Sequence, residues 1–130
     1  MIHENRKWPR VYFSVNDAVA GEILIHKEQV FSARVLNVSE GGLALSLKAV
    51  PGTSFKKGDR FQLKALEGKE MLVLTAPAVM EVKWVTALEG LEMLGLGCAF
   101  LYMVPPDRVR LRRFMEDMDR DIIKPEPTRG

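Results

Sequence analysis

Cysteine is nearly missing from this sequence: Cys98 stands alone among 130 residues. One thiol cannot close an internal disulfide, so packing must hold the fold, and a reducing, cytoplasmic setting suits it. Histidine is almost as scarce. Neither His3 nor His26 has a ligand-type neighbour at metal spacing, so no metal site is expected. Aromatic residues make up 8% of the chain and the net charge is +2, too few rings and too little charge for a groove that tracks single-stranded nucleic acid. No apolar stretch approaches the roughly 18 residues of a membrane span. The first ten residues are polar and basic and do not read as a secretory leader. A Walker-type phosphate loop and an acid/base constellation are also missing, so the chain is not expected to be an enzyme.

What remains is a chain of ordinary globular composition, 47% apolar and 28% charged, long enough for one domain with a core of its own. Strand-like segments run from Val19 to Ile25, Val30 to Val38, Leu43 to Leu47, Phe61 to Leu66, Leu72 to Val85 and Met93 to Phe100. The alternation within Val30–Val38 and Phe61–Leu66 predicts half-buried strands. Glu40-Gly41-Gly42 reads as a turn between two paired strands, and Pro77 predicts a bulge or an edge position. Gly95 and Gly97 inside the last strand predict sharp bending or a close backbone approach. The period then lengthens. Leu111, Phe114 or Met115, Met118 and Ile122 recur at helical spacing, giving a helix from Asp107 to Ile123 with Asp107 as its N-cap. Met115 and Met118 are core candidates on that face, and Cys98 is expected to be buried. Together these elements predict a small antiparallel β-barrel with a C-terminal helix packed on it.

Two short motifs carry chemistry. Arg6 and Arg10 form an RxxxR pair, with Lys7 between them, in a segment that Pro9 keeps from being helical. Guanidinium groups match phosphate oxygens and the O6/N7 edge of guanine bidentately. The same spacing recurs at Arg108 and Arg112 in the helix, where it requires no ligand. The second motif is Asn37-Val38-Ser39-Glu40-Gly41-Gly42, of the form D/N-x-S-x-x-G at a strand end. Asparagine and serine supply donors and acceptors, and the glycines let a ligand approach the main chain. A plain hairpin turn favours the same residues. Trp84 is open to two readings, an exposed indole that stacks on a base or a packing residue of the barrel. Trp8 is expected to anchor the basic segment.

In this order and spacing, RxxxR, a strand, NxSxxG and the glycine-bearing strand Gly95-Leu96-Gly97-Cys98-Ala99-Phe100 resemble the PilZ domain family from Arg6 to about Ile123. The resemblance implies a mainly β fold, a six-stranded antiparallel barrel with a C-terminal α-helix. It also implies a receptor for cyclic di-GMP, with that ligand in place of any cofactor. Carried over onto this chain, Arg6 and Arg10 would clasp phosphates and guanine edges. Asn37 would face guanine, and Ser39, Gly41 and Gly42 would complete the wall beneath the ligand. Lys7 and Trp84 join this set as additional contacts. Asn37 stands where the family more often has aspartate, and an uncharged acceptor binds guanine less strongly. Asn5 stands where many relatives have a further arginine, which bears on how many ligand molecules bind. The expected organisation is a flexible ligand-binding segment over 1–10, a barrel with its helix over 11–123 and a loose tail over 124–130. The signal is expected to pass from the ligand-ordered segment to a separate effector protein. The competing reading is a PilZ-fold adaptor that binds protein and no nucleotide.

Overall fold

The computed structural model describes residues 10–13, 18–25, 29–48, 54–88 and 92–121. Arg6, Lys7 and Trp8 of the basic segment and Ile122 of the helix lie outside the described residues. The elements are β1 (Val11–Tyr12), β2 (Ala20–Ile25), β3 (Gln29–Val38), β4 (Gly42–Lys48), β5 (Arg60–Glu67), β6 (Met71–Leu88), β7 (Met93–Tyr102) and α1 (Pro105–Asp121). Six strands close in the order β3-β2-β5-β6-β7-β4 and back to β3, antiparallel at every pairing. The two-residue β1 pairs with the end of β3 that β2 does not reach. This is the expected six-stranded barrel with one short strand added.

Alternation supplies the core. Ile23 and Ile25 of β2, Phe61 and Leu63 of β5, and Leu96 of β7 all turn inward. Where the alternation breaks, the pairing register shifts. On β3 the register shifts between Val35 and Asn37, so Leu36 is an extra residue and Val35 and Val38, three apart, both reach the core. A larger break lies on β6. Leu63 of β5 pairs with Ala78, but Ala65 pairs with Val73, leaving residues 74–77 opposite Lys64. Pro77 sits in this bulge, where no ladder donor is required of it, as its chemistry demands.

Helix α1 rests on the barrel through Leu111, Phe114, Met115 and Met118, all buried. Its start differs from the expectation at Asp107. The Val104 carbonyl accepts from the amides of Asp107 (2.9 Å) and Arg108 (3.2 Å), so the helix opens at the two prolines. Prolines suit that place because the first amides of a helix have no intrahelical partner. Asp107 is thus inside the helix and completely buried. Its Oδ2 accepts from the amides of Thr75 (2.9 Å) and Ala76 (3.3 Å), and its Oδ1 accepts from the Thr75 hydroxyl and from Arg110 Nη1 at 3.0 Å. The acid therefore caps the β6 bulge and not its own helix.

Candidate functional site

Directly paired residues of neighbouring strands point to the same side of a sheet. Following the pairs across the barrel gives one row: Tyr12 of β1, Asn37 of β3, Ala44 of β4, Gly97 of β7 and Trp84 of β6. The matching row one residue along, Val11, Val38, Leu43, Cys98 and Val82, is core. The first row therefore faces outward. It carries an aromatic ring at each end, an amide beside one ring, and small residues between.

A cleft of about 390 Å³ lies over this row, lined by Arg10, Tyr12, Asn37, Gly41, Lys83 and Trp84 among others. Arg10 Nη1 donates to Asn37 Oδ1 at 2.7 Å, joining the second arginine of one motif to the first residue of the other across 27 positions of sequence. The guanidinium has further N–H groups, and the amide NH₂ of Asn37 is a separate donor. Lys83 adds a second cation at the rim, its Nζ 2.7 Å from Glu81.

Trp84 is exposed, with 47% of it accessible. Its indole lies along β7. A Cβ at Gly97 would fall 2.0 Å from Trp84 Nε1 and 2.1 Å from Cε2, and one at Gly95 would fall 3.7 Å from Cζ3. The glycines expected to permit a close approach thus form a trough in which the ring lies.

The Asn37–Gly42 turn is built by its own side chain. Ser39 Oγ accepts from the amides of Gly41 (3.1 Å) and Gly42 (3.2 Å), and its hydroxyl lies 3.4 Å from the Gly42 carbonyl. Ser39 is 1% exposed, so it shapes the turn from beneath. Gly42 admits no side chain, since a Cβ there would sit 2.0 Å from the Cys98 carbonyl oxygen. Glu40, at the tip, receives two hydrogen bonds from Arg112 of α1, from Nε at 3.0 Å and Nη2 at 3.1 Å. That guanidinium holds the Glu40 carboxyl below its usual range. Helix and turn are therefore in contact, a link that the helical repeat of the RxxxR spacing did not suggest.

Arg10, Asn37, Gly41 and Trp84 come together in one cleft, and Ser39 and Gly42 lie under it. Tyr12 and Lys83 were missed. Tyr12 was readable as the residue two beyond Arg10, on the same side of any strand; Lys83 reaches the rim through the register shift between Val82 and Trp84. Cys98 is buried and burial pushes its thiol up to about 12, which removes it as a nucleophile. Among the described residues, no group of His, Cys, Asp and Glu could hold a metal ion, and no helix is long and apolar enough to cross a membrane.

Comparison with known proteins adds the following. The sequence profile of the PilZ domain matches residues 4–117. No curated protein sequence gives a significant match. Among solved structures, the PilZ domain of YcgR from Escherichia coli, bound to c-di-GMP, superposes with a TM-score of 0.67 at 14% identity, covering 91% of this chain and 94% of that one. The Bacillus subtilis inhibitor of motility MotI/DgrA gives 0.68 at 18% identity, covering 94% of this chain and 55% of that one. MrkH of K. pneumonia, in complex with c-di-GMP, gives 0.69 at 16% identity, covering 92% and 55%. The chain thus spans about half the length of the last two. At these identities the likeness establishes the fold.

Proposed function

The chain belongs to the PilZ domain family, and from that premise we propose that it is a cyclic di-GMP receptor and not an enzyme. The observation that carries the proposal is the Arg10–Asn37 hydrogen bond at the edge of a cleft floored by an exposed indole. It joins two sequence motifs in the way a guanine nucleotide would use them. Arg10, with Arg6 and Lys7 from the preceding segment, supplies cations for phosphate oxygens and guanine O6/N7. Asn37 reads the guanine edge, Gly41 offers open main chain, and Trp84 stacks on a base. Ser39 and Gly42 hold the turn in shape. Titrated calorimetrically, the folded protein should bind cyclic di-GMP with micromolar or tighter affinity. Absence of heat at high protein concentration would favour the adaptor reading.

The output proposed is a change of surface. A dianionic ligand held between residues 1–10 and the Asn37–Gly42 turn fastens that segment to the barrel. A separate effector protein reads the face so formed. A cytoplasmic setting is part of this proposal, since the single Cys98 suits a reducing compartment.

A further inference from the structure

Beside the row Tyr12–Asn37–Ala44–Gly97–Trp84 runs a second outward row, two residues further along each central strand. It consists of Ala20 of β2, Arg34 of β3, Ser46 of β4, Gly95 of β7 and Thr86 of β6, the step on β3 being three residues because Leu36 is the extra residue of its bulge. The two rows lie about 7 Å apart, the rise of two strand residues. The Trp84 indole bridges them, because its pyrrole edge lies over Gly97 and its benzo edge reaches Gly95. A base stacked on that ring therefore has one edge toward Asn37 and the other toward Arg34 and Ser46.

Both residues suit such an edge. Arg34 is partly exposed, and among the described residues no carboxylate lies within ion-pair distance of it. Ser46 is 7% exposed, and its hydroxyl makes no hydrogen bond to another described residue. A buried hydroxyl without a partner is costly, and a ligand acceptor or donor placed there removes the cost. An arginine fork beside it matches two adjacent acceptors on one planar edge.

We propose that Arg34 and Ser46 form a second subsite, which takes the O6/N7 edge of the guanine stacked on Trp84, while Arg10 and Asn37 hold the rest of the ligand. This rests on the cyclic di-GMP reading and adds residues that lie outside both signature motifs. Arg34 thereby sets preference for guanine, since adenine presents a donor where guanine presents O6.

The test is calorimetric titration of wild type, Arg34→Ala and Arg34→Lys with cyclic di-GMP and with its 7-deazaguanine analogue, which lacks the N7 acceptor. Arg34→Ala should weaken binding of the natural ligand at least tenfold and leave the melting temperature unchanged. Lysine should not restore it, because it lacks the fork. The loss should shrink with the analogue, since one partner is already gone. Unchanged affinity in Arg34→Ala, with wild type binding, would overturn the subsite and leave the receptor reading intact. Equal loss with both ligands would overturn the guanine assignment in favour of a phosphate at Arg34. A folded wild type that binds neither ligand would remove the receptor reading and the subsite with it.

Discussion

At the scale of single residues, the site depends on where side chains are missing. Trp84 can lie flat only because Gly97 leaves the space, and a methyl at Gly97 would overlap the indole nitrogen. Gly97→Ala should therefore weaken cyclic di-GMP binding about as much as Trp84→Ala. Loss of a base–aromatic stack is worth about 1–3 kcal/mol, or roughly tenfold to a hundredfold. Gly95→Ala is the control, because its methyl would make ordinary contact at 3.7 Å. Equal effects of the two alanines in titration would mean the ring is not the platform. Arg10→Ala should cost a similar factor, as a bidentate contact does, without lowering the melting temperature. Gly42 is unsuitable for such tests, since a side chain there meets the β7 backbone and disrupts the barrel itself.

Residue-level chemistry was legible where it is local. Asn37, Ser39, Gly41 and Gly42 announced a turn, because those side chains favour turns for reasons confined to a few residues. Local chemistry also misled. An aspartate after two prolines looks like an N-cap, yet Asp107 spends both oxygens on a bulge 31 and 32 residues earlier. Nothing in the sequence near Asp107 distinguishes the two roles. The partnership of Trp84 with Gly97 depends on a register shift between strands, which is set by tertiary pairing and not by either segment alone.

At the scale of elements, Asp107 and Arg112 add polar contacts to the apolar face through which α1 rests on the barrel. Asp107 receives the amides that the β6 bulge leaves outside the ladder. Burial opposes its ionisation, but hydrogen bonds from Thr75, Ala76 and Arg110 outweigh it, and the carboxyl is held below its ordinary value of 3.8. The stability it contributes is fully present above that value and is lost as pH falls through the lower folded value. Asp107→Asn should therefore be less stable than wild type by about 1–3 kcal/mol at neutral pH. The gap should begin to narrow on acidification below about pH 4 and go on narrowing toward the lower folded value. Melting both proteins from pH 7 down to pH 3 checks this, and a gap that stays constant would mean the charge is irrelevant.

Arg112 of α1, paired with Glu40, neutralises an acid at the tip of the Asn37–Gly42 turn. Without it, the Glu40 carboxylate would repel an anionic ligand beside Gly41. Arg112→Ala should reduce cyclic di-GMP affinity a few-fold, less than Arg10→Ala. Adding Glu40→Gln should restore it, because the repulsion then has no source. Arg108→Ala, which leaves the Arg112 pair in place, should do less than either. Titration of the single and double variants decides whether the helix acts through this charge.

At the scale of the whole molecule, a closed barrel has little freedom to move, since each of its six strands is paired on both sides. In the proposed receptor, a signal from the outer face would therefore travel by what is added to that face. The cleft lined by Arg10, Asn37 and Trp84 sits at β1, where Val11 and Tyr12 pair with β3 among the described residues. In the sequence Arg6, Lys7 and Arg10 bring three cations within five residues. A ligand that bridges these cations to Asn37 and Gly41 supplies the missing opposite charge. In the proposed receptor, any ordering of this segment by the ligand would cost on the order of 1–2 kcal/mol per residue, and measured affinity would then understate the contacts made. The prediction is that amide hydrogen exchange over residues 4–11 slows when cyclic di-GMP binds. Core strands β5 and β7, already closed into the barrel, should change little. Exchange that slowed equally in the core would point to a general gain in stability and not to a local surface. Equal exchange of residues 4–11 in both states would remove the proposed route to a partner, even with binding confirmed. The effector would then have to recognise the bound nucleotide itself, or the Trp84 face of the barrel.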